Sequence, residues 1–114
     1  MIHMKYYKNK VNDFIVLTDQ KFCNNISFKL AFEFCTLNYK EIPLITFYTT
    51  NRLENYTEID AYEVIFSKKY QTMLKSIVRD KDKLDKQLKN FNYELFEDVF
   101  NSSIEEIEEL IKQF

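Results

Sequence analysis

The acidic side chains near the end of the chain are the residues whose spacing best fits a binding function. Residues 93–114 contain seven acidic side chains and one basic one, a net charge of −6 (1 − 7). A concentrated negative face speeds association with a basic partner and helps to select that partner. We therefore expect a protein-docking surface on the C-terminal helices that contains Glu97, Asp98, Glu105, Glu108 and Glu109.

Part of this negative charge has a local explanation. Acidic residues in the first turn of a helix interact favourably with the helix dipole, which would account for Glu105 and Glu106. Glu108 and Glu109 lie further along the helix and gain little from the dipole. The alternative to a docking surface is an ordinary solvated helix face.

Two tyrosines are expected to support the acidic surface. Tyr48 and Tyr56 flank a polar segment, residues 51–55, that is typical of a turn. Tyrosine is enriched at protein interfaces because its ring is large and rigid and its hydroxyl is polar. The alternative is that both rings belong to the core or to a strand face.

A basic block precedes the acidic one and suggests a different function. Residues 68–92 contain eight basic and three acidic side chains, a net charge of +5 (8 − 3). On one continuous helix, at about 100° per residue, the basic side chains within roughly 80° of one another are Lys68, Lys75, Arg79, Lys83 and Lys86. Such a stripe would bind nucleic acid or an anionic nucleotide. A solvated face is again the alternative, and the whole-chain charge of −2 disfavours a polyanion.

The composition excludes the common catalytic and cofactor sites. The chain has no Gly, so the phosphate-binding loops and the nucleophile elbow that require Gly cannot form. His3 is the single histidine. Cys23 and Cys35 lack the spacing of metal-binding pairs, and we expect reduced, mostly buried thiols. We therefore expect no enzymatic activity, no metal and no cofactor. The alternative that the composition leaves open is an enzyme that uses carboxylates or Tyr.

One acidic motif resembles the start of a calcium-binding loop. Asp80, Asp82 and Asp85 have the spacing D-x-D-x-x-D. The Gly and the bidentate Glu of such loops are absent, and the segment has a helical pattern. We therefore expect no calcium site here.

The first half of the chain has the pattern of β-strands. We expect a single domain over residues 1–114, mainly strand over 1–67 and mainly helix over 68–114. Strands are predicted for residues 13–18, 27–37, 43–50 and 58–67, with an edge strand at 5–10. A helix remains the alternative for 27–37 and for 58–67.

The second half has helical spacing. Ser67 is a suitable N-cap for one long helix that reaches Phe91, and a short helix is predicted over residues 93–100. Ser103 and Glu106 form a capping box that would begin a third helix. The predicted fold is α+β: an N-terminal antiparallel sheet of three to five strands followed by two or three helices packed on one face.

These expectations combine into one functional hypothesis. A small protein with a charged face and no catalytic centre can act as an inhibitor that occludes a basic surface of its partner. Immunity proteins, antitoxins and phage-encoded anti-defence proteins share this size and charge, which is an analogy only. The chain has no apolar run of membrane-spanning length and no apolar N-terminal stretch, so we expect a cytoplasmic protein without a membrane partner. A homodimer that pairs the basic and acidic faces is a further option.

Overall fold

The architecture was obtained from a computed structural model, which describes residues 4–19, 28–49, 54–91 and 94–114. Within these residues, five strands form one antiparallel sheet: β1 (Met4–Asn9), β2 (Ile15–Asp19), β3 (Phe28–Leu37), β4 (Lys40–Thr49) and β5 (Tyr56–Ile59). The strand order is β4-β3-β2-β1-β5. The α-helices of the described part are α1 (Ala61–Phe66), α2 (Lys68–Arg79), α3 (Lys81–Asn90) and α4 (Glu97–Ile111), and a 3₁₀ turn (Glu94–Phe96) precedes α4. The predicted α+β fold is confirmed.

The core lies between one face of the sheet and the helices. Side chains alternate between the two faces of a strand, so Leu30, Phe32 and Phe34 of β3 point toward the helices while Ala31 and Glu33 point away. Burying an aliphatic or aromatic side chain of this size stabilises the fold by about 2 kcal/mol. This alternation confirms the predicted strand over residues 28–37, and the helix alternative for those residues is wrong; residue 27 of the prediction lies outside the described residues.

The prediction of one strand over residues 58–67 is wrong for most of that segment. β5 ends at Ile59, and Asp60 caps α1 by accepting a hydrogen bond from the N–H of Tyr62 at 2.8 Å. An aspartate in this position satisfies a helix N–H that would otherwise have no partner, which favours the start of a helix. Val64 then points into the core from α1.

The sequence suggested an edge strand at residues 5–10, but β1 lies inside the sheet. β1 pairs with β2 on one side and with β5 on the other. Its two lysines form ion pairs with carboxylates of neighbouring segments. The Nζ of Lys5 lies 3.7 Å from Glu58, and the Nζ of Lys8 lies 3.3 Å from Asp13.

The strand predicted from Pro43 begins three residues earlier, at Lys40. Pro43 therefore lies inside β4, opposite Phe34 of β3. The missing N–H of proline is tolerated because β4 is an edge strand. The N–H of Ile45, on the same strand, donates to Oε1 of Gln87 in α3 at 3.0 Å, so α3 covers part of this edge.

The long helix predicted after Ser67 is divided into α2 and α3. Ser67 is its N-cap, as expected, and its Oγ accepts from the N–H of Tyr70 at 3.3 Å. The break lies at Asp80, which has ψ of 17° and accepts two hydrogen bonds from the guanidinium of Arg79. Leu84 and Leu88 of α3 belong to the core.

The predicted boundary between the last two helices is also wrong. Instead of a helix over 93–100 and another from Ser103, α4 runs without interruption from Glu97 to Ile111. Ser103 is 1% exposed and lies inside the helix. Phe100, Ile104 and Ile107 share one buried face at helical spacing. Their packing stabilises a continuous helix that includes the polar residues between them.

Candidate protein-binding groove

A groove of about 530 Å³ lies between α3 and α4. The lining residues of each helix follow one another at intervals of one, three or four positions, which is the spacing of residues that share one face of a helix. The lining residues are Lys81, Asp82, Asp85 and Lys89 from α3, and Glu97, Phe100, Asn101, Ile104, Glu105 and Glu108 from α4.

The groove carries an excess of negative charge. Five carboxylates and two ammonium groups line it, a net charge of −3 (2 − 5). Phe100 and Ile104 lie at its base and are held in the core. Their burial fixes the orientation of α4. Glu97, Glu105 and Glu108 lie one, three or four positions from them along the helix and line the groove beside them.

One ion pair neutralises part of the rim. The Nζ of Lys89 lies 2.9 Å from Oδ2 of Asp85, one helical turn away. This hydrogen bond raises the pKa of Lys89, and Glu97 contributes to the same increase through its charge. Within the described residues, Asp82, Glu105 and Glu108 have no ion-pair partner within 4.0 Å, so their charges remain available to a ligand.

The structure brings together only part of the acidic set predicted from the sequence. Glu97, Glu105 and Glu108 line the groove. Asp98 is exposed but lies outside the groove lining. Glu109 also lies outside that lining and accepts a hydrogen bond from Nζ of Lys112 at 2.8 Å.

Two carboxylates of the groove were not anticipated. Asp82 and Asp85 belong to the block that is basic overall, so the charge count concealed them. Their spacing of three residues places them on one face of a helix. Only the packing of α3 against α4 shows that this face adjoins the acidic one.

Glu106 has a structural role. Its Oε1 accepts a hydrogen bond from the backbone N–H of Met4 at 2.9 Å, which ties α4 to β1. Its Oε2 is buried and has no hydrogen-bond partner among the described residues. Burial raises the pKa of nearby Tyr6 to about 12, and the charge of Glu106 adds to this effect.

The two tyrosines predicted to join the acidic surface lie on the other face of the sheet. Tyr48 and Tyr56 pack against Val16 and Ala31 there, and their ring centroids are 6.2 Å apart. Tyr48 is 8% exposed, so the exposed aromatic contact expected at this position is not found. Burial, followed by the hydrogen bonds to Glu33 and Tyr56, raises the pKa of Tyr48 well above its ordinary value.

The basic residues predicted to form one stripe are divided between two helices: Lys68, Lys75 and Arg79 on α2, and Lys83 and Lys86 on α3. The single continuous helix on which this stripe was predicted is therefore wrong, because Asp80 ends α2 between the two groups. The guanidinium of Arg79 is paired with Asp80 at 2.9 Å, and the Nζ of Lys75 lies 5.9 Å from the centroid of the Phe114 ring.

Of the two predicted thiols and the histidine, the structure describes only Cys35. Cys35 is half-buried on β3, whereas Cys23, His3 and residues 51–53 of the predicted turn lie outside the described residues. In the described part of the chain, no group of three or more His, Cys, Asp or Glu side chains is arranged to hold a metal ion.

Among the described residues, no helix has the length and apolar character needed to cross a bilayer. No known family model matches the chain, and comparisons with curated proteins and with solved structures find no match.

Proposed function

We propose that this chain is a cytoplasmic protein-binding inhibitor and that the groove between α3 and α4 occludes a basic surface of its partner. The observation that supports the proposal is the net charge of −3 on a concave surface, with carboxylates from both helices that have no ion-pair partner among the described residues. The proposal includes no catalytic step.

The mechanism follows from the arrangement of the charges. Carboxylates at the rim attract a Lys- or Arg-rich surface over a distance of about 10 Å at moderate salt, which speeds encounter. Glu97, Glu105 and Glu108 can then accept charge-assisted hydrogen bonds from ammonium or guanidinium groups that enter the groove. A partner whose functional site contains those cations would be blocked while the complex lasts.

A pair of triple variants tests the groove. The groove variant carries Glu97→Lys, Glu105→Lys and Glu108→Lys. The control variant carries Glu94→Lys, Asp98→Lys and Glu109→Lys, which changes the net charge equally at positions outside the groove lining. Thermal unfolding followed by circular dichroism verifies that both variants fold.

The binding measurement begins with capture of a partner from nuclease-treated lysate of the native host and continues by calorimetry with the purified partner. We expect the groove variant to bind at least about tenfold more weakly and the control variant to bind within about threefold of wild type. Equal weakening by both variants would mean that overall charge, not the groove, determines binding.

A second copy of the chain is the competing occupant. Lys83 and Lys86 are exposed on α3 and could face the groove of another molecule. Light scattering over a range of protein concentrations measures this directly. Self-association that disappears in the groove variant but persists in the control variant would replace the inhibitor proposal with a homodimer.

A further inference from the structure

The tight turn between β3 and β4 contains an aromatic residue in an unfavourable position. Asn38 and Tyr39 form the turn, with φ of 51° and 64°, and Leu37 pairs with Lys40 across it. Turns with positive φ at both central residues favour Asn at the first and Gly at the second. Asn38 fits this preference, whereas Tyr39 occupies a left-handed conformation that its Cβ disfavours.

Packing within the chain gives no reason for a tyrosine at this position. The side chain of Tyr39 is fully exposed, at 102%, and the neighbouring Leu37 is 57% exposed. Among the described residues, the others with positive φ are Asp13 and Asn38, which are types that tolerate it. The ring of Tyr39 is therefore available for a contact outside the folded chain.

A cleft lies between this turn and α2. Its volume is about 340 Å³, and Tyr39, Lys40 and Glu41 line it on the strand side. Thr72, Met73, Ser76 and Arg79 line it on the α2 side. The cleft is separate from the acidic groove, since the two share no lining residue.

Two of the charged side chains that line the cleft, Lys40 and Arg79, are cations that can contact a phosphate. The guanidinium of Arg79 uses Nε and Nη2 to bond Asp80, which holds it in place, and its Nη1 donates no hydrogen bond to a described residue. Lys40 follows the turn directly and is exposed.

We propose that this cleft binds a nucleotide, with the base stacked on Tyr39 and the phosphate held by Lys40 and Arg79. Every base has a π-face that can stack on an aromatic ring, and guanidinium and ammonium groups are the usual phosphate ligands. The carboxylate of Glu41, in the same cleft, can accept hydrogen bonds from ribose hydroxyls. A free nucleotide and one nucleotide of a single strand share this chemistry.

The test uses uridine monophosphate and a fluorescently labelled ten-residue oligouridylate as probes, titrated into the full chain at low salt. Calorimetry reports the first and fluorescence anisotropy the second. Binding of both probes supports a nucleotide site, and binding of the oligomer alone supports a single-strand site, in each case with affinity that falls as salt rises.

Substitutions at the turn make the test decisive. Tyr39→Asn supplies a residue that the left-handed position tolerates, so the variant should unfold at a temperature no lower than wild type and bind about tenfold more weakly. Tyr39→Phe keeps the ring and should bind within about threefold. Tyr62→Asn makes the same chemical change at an exposed tyrosine of α1 and should leave binding unchanged.

The proposal is overturned if wild type binds neither probe, or if Tyr39→Asn binds as wild type does. It is also overturned if Tyr39 proves necessary for a protein partner while both probes fail to bind. Arg79→Gln adds an independent check, since loss of one phosphate contact should weaken binding and reduce the salt dependence of the affinity.

Discussion

The hydroxyl of Tyr56 on β5 donates a hydrogen bond to Oε1 of Glu33 on β3 at 3.1 Å, across the face of two intervening strands. The hydroxyl of Tyr48, on the opposite edge strand, lies 3.5 Å from that of Tyr56. In a flat sheet those edge strands would be about 19 Å apart, at about 4.8 Å per strand. The sheet therefore curves toward this face, and the rings from both edges cover Val16 and Ala31.

Removing the hydroxyl of Tyr56 should weaken the contact between the two edges of the sheet. Tyr56→Phe deletes the donor to Glu33, and we expect the free energy of unfolding in urea to fall by about 1 kcal/mol. The matched control is Tyr7→Phe, since Tyr7 packs against the same cluster and its hydroxyl makes no hydrogen bond to a described residue. Equal losses in the two variants would show that the contact with Glu33 contributes nothing specific.

Stability should decrease at alkaline pH because of Tyr6. Burial raises the pKa of Tyr6 from 10.0 to about 12, so the folded state is stabilised while the hydroxyl of Tyr6 is neutral. This contribution is complete below pH 10 and is lost as pH rises toward 12. Urea denaturation at several values between pH 8 and pH 11, with phenolate absorbance followed in parallel, measures the decrease; we expect a smaller one for Tyr6→Phe.

The variant Glu106→Gln separates the two causes of the raised pKa of Tyr6. The charge of Glu106 is the smaller cause and burial the larger, so the variant should lower the pKa of Tyr6 only partly toward 10.0. A return of the tyrosine to its ordinary pKa in this variant would show that Glu106 dominates.

The part of the β4 edge that α3 covers should depend on one glutamine. Gln87→Leu removes the acceptor of the Ile45 N–H, and we expect a loss of about 1 kcal/mol in the free energy of unfolding. Gln87→Glu keeps an acceptor in nearly the same place and should retain most of the stability. Equal destabilisation by both substitutions would indicate that side-chain packing, rather than the hydrogen bond, is responsible.

The junction between α1 and α2 should depend on Ser67. Ser67→Ala removes the acceptor for the N–H of Tyr70 and should cost about 1 kcal/mol, whereas Ser67→Asp preserves a capping acceptor. Ser102→Ala, inside α4, is the control for replacing a serine hydroxyl, and we expect an effect below about 0.5 kcal/mol there. Thermal and urea unfolding together measure these differences; a loss for Ser67→Asp as large as that for Ser67→Ala would contradict the capping role.

Periodicity within single elements was sufficient to predict much of the fold. The alternation of Leu30, Phe32 and Phe34 identified β3, and the spacing of Tyr70, Leu74 and Ile77 identified the helix that follows Ser67. These patterns are readable because each depends on residues two to four positions apart, which share a face of one strand or helix.

The boundaries that were wrong depend on competition between local patterns and packing. Residues 58–67 contain both a strand pattern and a helix start, and the pairing of Ile59 with Tyr6 together with the cap at Asp60 divides them. Ser103 has the local signature of a helix start, yet burial of the face around it extends α4 through that position.

The sequence by itself determined the α+β class, the positions of most elements and the separation of the charge into a basic and an acidic block. Only the tertiary structure placed Asp82 and Asp85 of the basic block beside Glu105 and Glu108 of the acidic one. The same is true of Tyr39 and Arg79, which are distant in sequence and share one cleft. The physical reason is that a composite site depends on which faces of different elements pack together, and that choice is made by burial of the core between them.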